Sequence, residues 1–326
     1  MAAITVNEVA DTFNMPNYLG PLYMIKDNPN RLLAMIGNLT EGGRVEDNYE
    51  FGINTEELPA ETQPAILEGA DIPTPQSIGM THTKNVTQIF NKSYGATYSK
   101  MASRGRIHTD STHTTGVASA DPDPFARQKA LKVKQIRRQL NYTFINGVYQ
   151  NPADATSTAR KSRGLLAAVD SGHVVSAAGE QLSQDHIDLL LQTMFDNGAL
   201  DSTENVVIVC NSYQKRRFSK IYGYAPEHRN IGGVNIQQIE TDFGVFGIFV
   251  ERDMPAAVVA VLNLGVVEPV YNLVTFPNGE VKGVLFSEPV ATTKTEYKEH
   301  IYGEIGLDHG PGVWHGKITD AATVAA

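Results

Sequence analysis

Three histidines, His300, His309 and His315, lie within sixteen residues of one another and close to Glu304 and Asp308. Imidazole and carboxylate are the side chains that hold zinc, but zinc sites are built on tight pairs such as His-x3-His that one turn of chain places on a common face. Spacings of nine and six on a Gly- and Pro-rich stretch fix no common face, so no metal is expected there. The single cysteine, Cys210, ends the run Val206-Val-Ile-Val-Cys, which reads as a buried strand, and a thiol in that setting is a core residue rather than a nucleophile. One cysteine also permits no internal disulfide and fits a reducing compartment. No Gly-x-Ser-x-Gly elbow and no Gly-x-x-x-x-Gly-Lys-Ser/Thr loop occurs, and the Gly232-Gly-Val-Asn turn opens onto a strand, not onto the helix N-terminus that a phosphate cradle needs. Glu227-His-Arg229 is an acid–base triplet on a loop, better suited to a surface contact than to catalysis. The chain therefore offers no catalytic, cofactor or metal site.

Charge is patterned more informatively. Arg127, Lys129, Lys132, Lys134, Arg137 and Arg138 put six positive charges into twelve residues of one helix, while Glu56, Glu57, Glu61, Glu68 and Asp71 cluster on a loop tip. The helix could meet phosphates. However, the chain carries a net charge of −9, and Phe125 and Phe144 belong to the helix's apolar stripe and offer no stacking platform for bases. Complementary acidic and basic patches set register between subunits, and this is the favoured reading, together with plain solvation. The candidate inter-subunit contacts are Arg44, Glu56, Glu57, Glu61, Glu68, Asp71, Lys84, Lys92, Arg137, Arg138, Glu227 and Arg229. Nucleic acid, if met at all, would be touched weakly and without sequence preference.

The elements that must carry these residues are unusual in their order. Residues 1–36 form an irregular arm with turn signals at Asn14-Met-Pro and Asn28-Pro, where Asn30 is placed to cap a short helix Arg31–Ile36 and two short apolar patches, Leu22-Tyr-Met-Ile and Leu32-Leu-Ala-Met-Ile, await a partner's cover. Residues 43–58 and 77–101 alternate in the manner of strands, with Val45, Tyr49, Phe51 and Ile53 on one side, and the segment between them holds Pro59, Pro64, Pro73 and Pro75. This predicts a long antiparallel hairpin with a proline-stiffened tip. A lone hairpin is marginal in water, and ordering its backbone costs about 1–2 kcal/mol per residue, so contacts outside its own subunit must supply the balance. A Ser/Thr/Gly/His linker over 102–121, with His108 and His113 solvated, leads to one strong helix. Asp123 is its N-cap and Pro124 its first residue; Phe125, Ala126, Ala130, Val133, Ile136, Leu140 and Phe144 form its stripe, and Asn146-Gly147 ends it.

From about 165 to 280 the pattern is α/β: a helix from Ser183 to Gly198, strand Val206–Cys210, a helix capped by Asn211 through Tyr222, and strands at Val234–Ile239, Gly247–Glu251 and Val258–Leu262. Residues 280–305 read as one or two long strands returning to the stripe of the long helix. The longest apolar run, Ala256–Val267, is interrupted by Asn263 and is too short to span a bilayer; no basic-then-apolar secretory signal opens the chain, and synthesis in the cytoplasm is expected.

This order of parts resembles the HK97-type major capsid fold of tailed bacteriophages, an α+β fold. Four stretches sharpen the likeness to its SU10-like branch: Gln139-Leu-Asn-Tyr-Thr-Phe-Ile-Asn-Gly, Tyr224-Ala-Pro-Glu-His-Arg-Asn-Ile-Gly-Gly-Val, Ile239-Glu-Thr-Asp-Phe-Gly and Glu304-Ile-Gly-Leu-Asp-His-Gly-Pro. The resemblance implies an N-terminal arm (1–43) and an extended loop (44–106) reaching over adjacent subunits, and a peripheral domain (107–164) with a spine helix at 123–147. It further implies an axial domain (165–280) and a final segment (281–326) that returns to the peripheral domain and then rejoins the axial one. It implies a virion shell of hexamers and pentamers, with separate scaffolding, portal or cement proteins as further partners and no membrane. Some relatives crosslink a hairpin lysine to a neighbour's asparagine; Lys84, Lys92 and Lys100 are the hairpin lysines here, but no matching residue carries that chemistry over. Two other readings stand beside this one: a tube or connector protein, and a metal-dependent hydrolase using the His300–His315 region.

Overall fold

A computed structural model describes residues 30–37, 39, 42–58, 65–72, 74–75, 77–102, 124–154, 156–200, 204–222, 228–231 and 234–323. The expected N-cap Asp123, the tip residue Glu61, the loop residue Glu227, and His108 and His113 lie outside them.

The long helix α3 (Pro124–Asn146), preceded by the short helices α1 (Arg31–Met35) and α2 (Tyr98–Ala102) and followed by the four-residue α4 (Leu165–Ala168), organises one lobe. Its stripe residues Ile136, Leu140 and Phe144 are buried against Phe90 and Tyr94 of β4 (Gln88–Thr97) and Ile301 and Ile305 of β13 (Glu296–Asp308). β13 is the spine of a five-stranded sheet. One edge pairs with β11 (Glu268–Asn272) and β12 (Phe286–Pro289), the other with β4, and the two-residue β1 (Arg44–Val45) adds parallel to β11. The helix stops at Gly147 because the chain passes too close for a side chain: a Cβ there would sit 2.5 Å from the carbonyl oxygens of Ser162 and Thr143.

The second lobe is a seven-stranded mixed sheet in the order β5-β14-β10-β6-β9-β8-β7. Its strands are β5 (Val174–Ser176), β6 (Val206–Cys210), β7 (His228–Ile231), β8 (Val234–Thr241), β9 (Gly244–Val250), β10 (Val259–Asn263) and β14 (Gly316–Thr319). Strand β6 is buried on both faces. Val206, Ile208 and Cys210 meet the covering helices α5 (Gln184–Asp196) and α6 (Ser212–Ile221), while Val207 and Val209 face the core that contains α3. Both helices start as their sequences direct. Ser183 and His186 form a reciprocal capping box on α5, and the Asn211 side chain accepts from the Tyr213 N–H at 3.2 Å on α6.

Three expectations are corrected. First, the second leg of the hairpin is shorter than its alternating pattern suggests. Only β2 (Glu50–Glu56) and β3 (Met80–Val86) pair as a free hairpin, in register from Glu50 opposite Val86 to Glu56 opposite Met80. At Thr87 the chain turns inward, its N–H bonded to the Tyr49 carbonyl at 2.8 Å, and β4 then joins the lobe's own sheet. Second, Leu32 and Leu33 of α1 (Arg31–Met35) need no partner; both are buried against this subunit's own α3 and β9. Third, Asn30 does not cap α1. It sits in the left-handed region at φ 49°, and its side chain makes no cap bond. Residues distant in sequence take the role: Glu251 Oε2 accepts from the Leu32 N–H at 3.4 Å and Asn141 Oδ1 from the Leu33 N–H at 3.2 Å.

Candidate inter-subunit surface

The hairpin is anchored at its base and bare at its tip. At the base, Asn85 is fully buried and spends its whole amide: Nδ2 donates to the Leu307 carbonyl at 2.7 Å and the Arg163 carbonyl at 3.3 Å, and Oδ1 accepts from the N–H groups of Arg163 and Val86 at 2.8 and 2.9 Å. Lys84 Nζ lies 2.7 Å from Glu50, which also accepts from Asn151 Nδ2 at 2.7 Å; the lysine beside Glu50 holds its carboxyl below the usual range. Arg160 packs over the Tyr49 ring at 4.4 Å and lies 3.6 Å from Glu304, a carboxylate that also accepts from Tyr302 and Asn272. Asn85, buried and fully satisfied, fixes the direction in which the hairpin leaves the lobe, and the exposed Lys84 pair adds to it from the surface.

At the tip the chemistry reverses. Leu58, Ile66, Leu67 and Ile72 are exposed, Leu67 at 85% and Ile72 at 94%, with Glu56, Glu57, Glu68 and Asp71 exposed among them. Side chains of this size, exposed together, form an apolar patch of the kind that interaction surfaces carry. The acidic residues of this tip were legible in the sequence. Its apolar ones were not singled out, although four large aliphatics inside a proline-rich acidic loop are a usable signal.

The remaining candidates are dispersed. Arg44 makes its contacts within the chain, Nη1 lying 3.1 Å from Asp308 and 3.6 Å from Glu268. Lys92 and Arg138 line one groove between β4 and α3. Arg137 lines a second groove of about 370 Å³ on the other side of the helix, walled by Val133, Leu285, Phe286 and Ile301, with Lys129 donating to Ser287 at 2.8 Å nearby. Arg229 falls on β7. The acidic tip and the basic helix thus belong to separate parts of the molecule.

The histidines serve the backbone. His315 is fully buried; its Nε2–H donates to the His309 carbonyl at 2.6 Å and its Nδ1 accepts from the Asn263 N–H at 3.3 Å. His309 Nδ1–H donates to the Gly310 carbonyl at 2.7 Å. Burial pushes both rings down to about 4, so they are neutral at physiological pH. His300 lies on β13, opposite Glu288 and Ser93 in the sheet. Among the described residues no group of three or more His, Cys, Asp or Glu comes together as a metal site. Burial likewise pushes the Cys210 thiol up to about 12, which suits a core residue. Among the described residues no helix is long and apolar enough to cross a membrane.

A family model for the SU10 major capsid protein matches residues 5–322. No curated protein matches the sequence. Among solved structures, the holo-SrpI encapsulin complex of Synechococcus elongatus PCC 7942 superposes with a TM-score of 0.62 at 11% identity, covering 99% of this chain and 98% of that one. The capsid of a native GTA particle gives 0.62 at 14% identity over 97% and 98%. The capsid of Cyanophage A-1(L) gives 0.62 at 11% identity over 97% and 99%.

Proposed function

The chain belongs to the SU10 major capsid protein family, and from that premise we propose how it builds a shell. Its role is structural rather than enzymatic, and its α+β fold is HK97-like. The hydrolase and tube or connector readings are set aside on the family match. In the proposed assembly, copies close head-to-tail into hexamers and pentamers, since a repeated contact with a closing rotation makes a ring. The hairpin of each copy lies on its neighbour, and the shell encloses a tailed-phage genome within the virion. Inner-surface contact with double-stranded DNA is weak and unspecific, in keeping with a net charge of −9. Scaffolding, portal and cement proteins are separate chains.

The observation that supports hairpin overlap is the tip itself: Ile66, Leu67 and Ile72 stand in solvent on a hairpin whose base is locked by Asn85. Replacing residues 57–79 by Asn-Gly joins Glu56 to its register partner Met80 through a two-residue turn and keeps the β2–β3 pair. The expected product is a soluble, folded subunit that forms no closed particles in electron micrographs. Particles of normal size would refute the overlap role.

A further inference from the structure

The hairpin tip and the groove that Arg137 lines are complementary in two properties at once. The groove, about 370 Å³ between α3 and β12, has apolar walls from Val133, Leu285, Phe286 and Ile301 and two cations, Lys129 and Arg137, in its lining. Val133, Leu285 and Phe286 are only half-buried, so the walls keep apolar surface in solvent. Lys129 is engaged by Ser287. Arg137 Nε is buried and has no hydrogen-bond partner among the described residues. A guanidinium N–H taken out of water without an acceptor is costly, so the groove is short of one acceptor and of apolar cover.

The tip carries both. Ile66, Leu67 and Ile72 are exposed aliphatics, and Glu68 and Asp71 are exposed carboxylates beside them. A carboxylate is the acceptor that a guanidinium matches best, through charge-assisted bonds. The tip does not fill the groove of its own subunit: its aliphatics are bare there, and the paired strand β2 carries Glu56 about 20 Å beyond Glu50 at the base. The other groove, between β4 and α3, is a poorer match, because Gln88, Asn91, Gln135 and Gln139 give it a polar lining.

We propose that the hairpin tip of one copy seats Ile66, Leu67 and Ile72 in the α3–β12 groove of a second copy, with a tip carboxylate accepting from Arg137. This rests on the overlap reading above and names the surface that receives the hairpin. Giver and receiver are different patches of one chain, so the contact is head-to-tail and repeats from copy to copy.

Cross-linking in assembled particles tests it. In a Cys210→Ser background, Leu67→Cys and Val284→Cys, the latter a groove residue, should be joined between chains by a short thiol cross-linker, giving a ladder of linked subunits. Leu67→Cys with Asn91→Cys should give none. Linkage to Asn91 instead would leave the overlap standing and overturn the groove as its receiver. A tip cysteine that links to neither overturns the groove too, and if it also reacts freely with maleimide in the particle it overturns the overlap itself. Charge exchange is a second readout. Arg137→Glu should raise the protein concentration needed for assembly by about tenfold or more, and adding Glu68→Arg and Asp71→Arg to the same chain should recover it. The thermal midpoint of each dispersed variant confirms folding. No loss from Arg137→Glu, or no recovery by the exchange in a folded subunit, would equally sink the proposal.

Discussion

His315 joins two strands that cross between the lobes. One crossing runs from β10 to β11 through Asn263, the other from β13 to β14 through His309 and Gly310, and the ring bonds a backbone group of each. Only the neutral ring can do this, because Nδ1 must accept. Burial lowers both His315 and His309 to about 4, whereas an imidazole in the unfolded chain titrates near 6.5. Between those values the unfolded chain binds protons that the folded one refuses. The two rings therefore cost nothing above pH 6.5, and each removes about 1.4 kcal/mol of stability per pH unit as pH falls from there toward 4. Urea unfolding midpoints at a series of pH values should show this decline, and His315→Gln should make it shallower by one ring's share. The sequence made these histidines conspicuous as a cluster, yet their partners are backbone groups, one of them fifty-two residues away, which side-chain spacing cannot disclose.

Elements were legible where a local pattern dictates them. The caps of α5 and α6, the apolar run of β6 and the Ile136, Leu140 and Phe144 part of the α3 stripe form where periodicity and capping residues put them, whereas Ala126 and Ala130, expected in that stripe, are exposed. What escaped depends on distant residues: α1 is held by Glu251, 219 residues on, and the hairpin's second leg is cut at Thr87 by a bond to Tyr49 that alternation does not encode. The C-terminal end of α3 depends on a close backbone approach of the same long-range kind. Gly164 N–H donates to the Gly147 carbonyl at 2.9 Å, and a Cβ on Gly164 would stand 2.5 Å from the Gly147 nitrogen and 2.6 Å from the Thr143 carbonyl oxygen. All the colliding atoms are backbone, so no side chain can swing aside. Gly164→Ala should destabilise the folded chain by about 2–3 kcal/mol, read as a fall in denaturation midpoint without change in slope.

On the scale of the whole molecule, two well-packed lobes carry a projection that neither of them covers. The base of the hairpin is tied by Asn85, Lys84 and Arg160, so removing apolar groups from its tip should leave the subunit's own stability intact. Leu67 and Ile72 are 85% and 94% exposed, so their loss creates no cavity within the chain. In a shell the same side chains would be buried at an interface repeated in every ring, where a fully covered Leu or Ile contributes about 1.5–3 kcal/mol. In the proposed overlap each subunit would both give a tip and receive one, so repetition would multiply the effect. The double substitution Leu67→Ser, Ile72→Ser should therefore leave the thermal midpoint of the dispersed subunit within a degree or so of the unaltered chain. It should raise the protein concentration needed for particle formation by at least tenfold, followed by light scattering and confirmed by electron microscopy. Unchanged assembly would mean that the tip's apolar face is solvated in the shell and that contacts closer to the lobes hold neighbours together. A matching loss of subunit stability would mean that the tip folds back on its own chain.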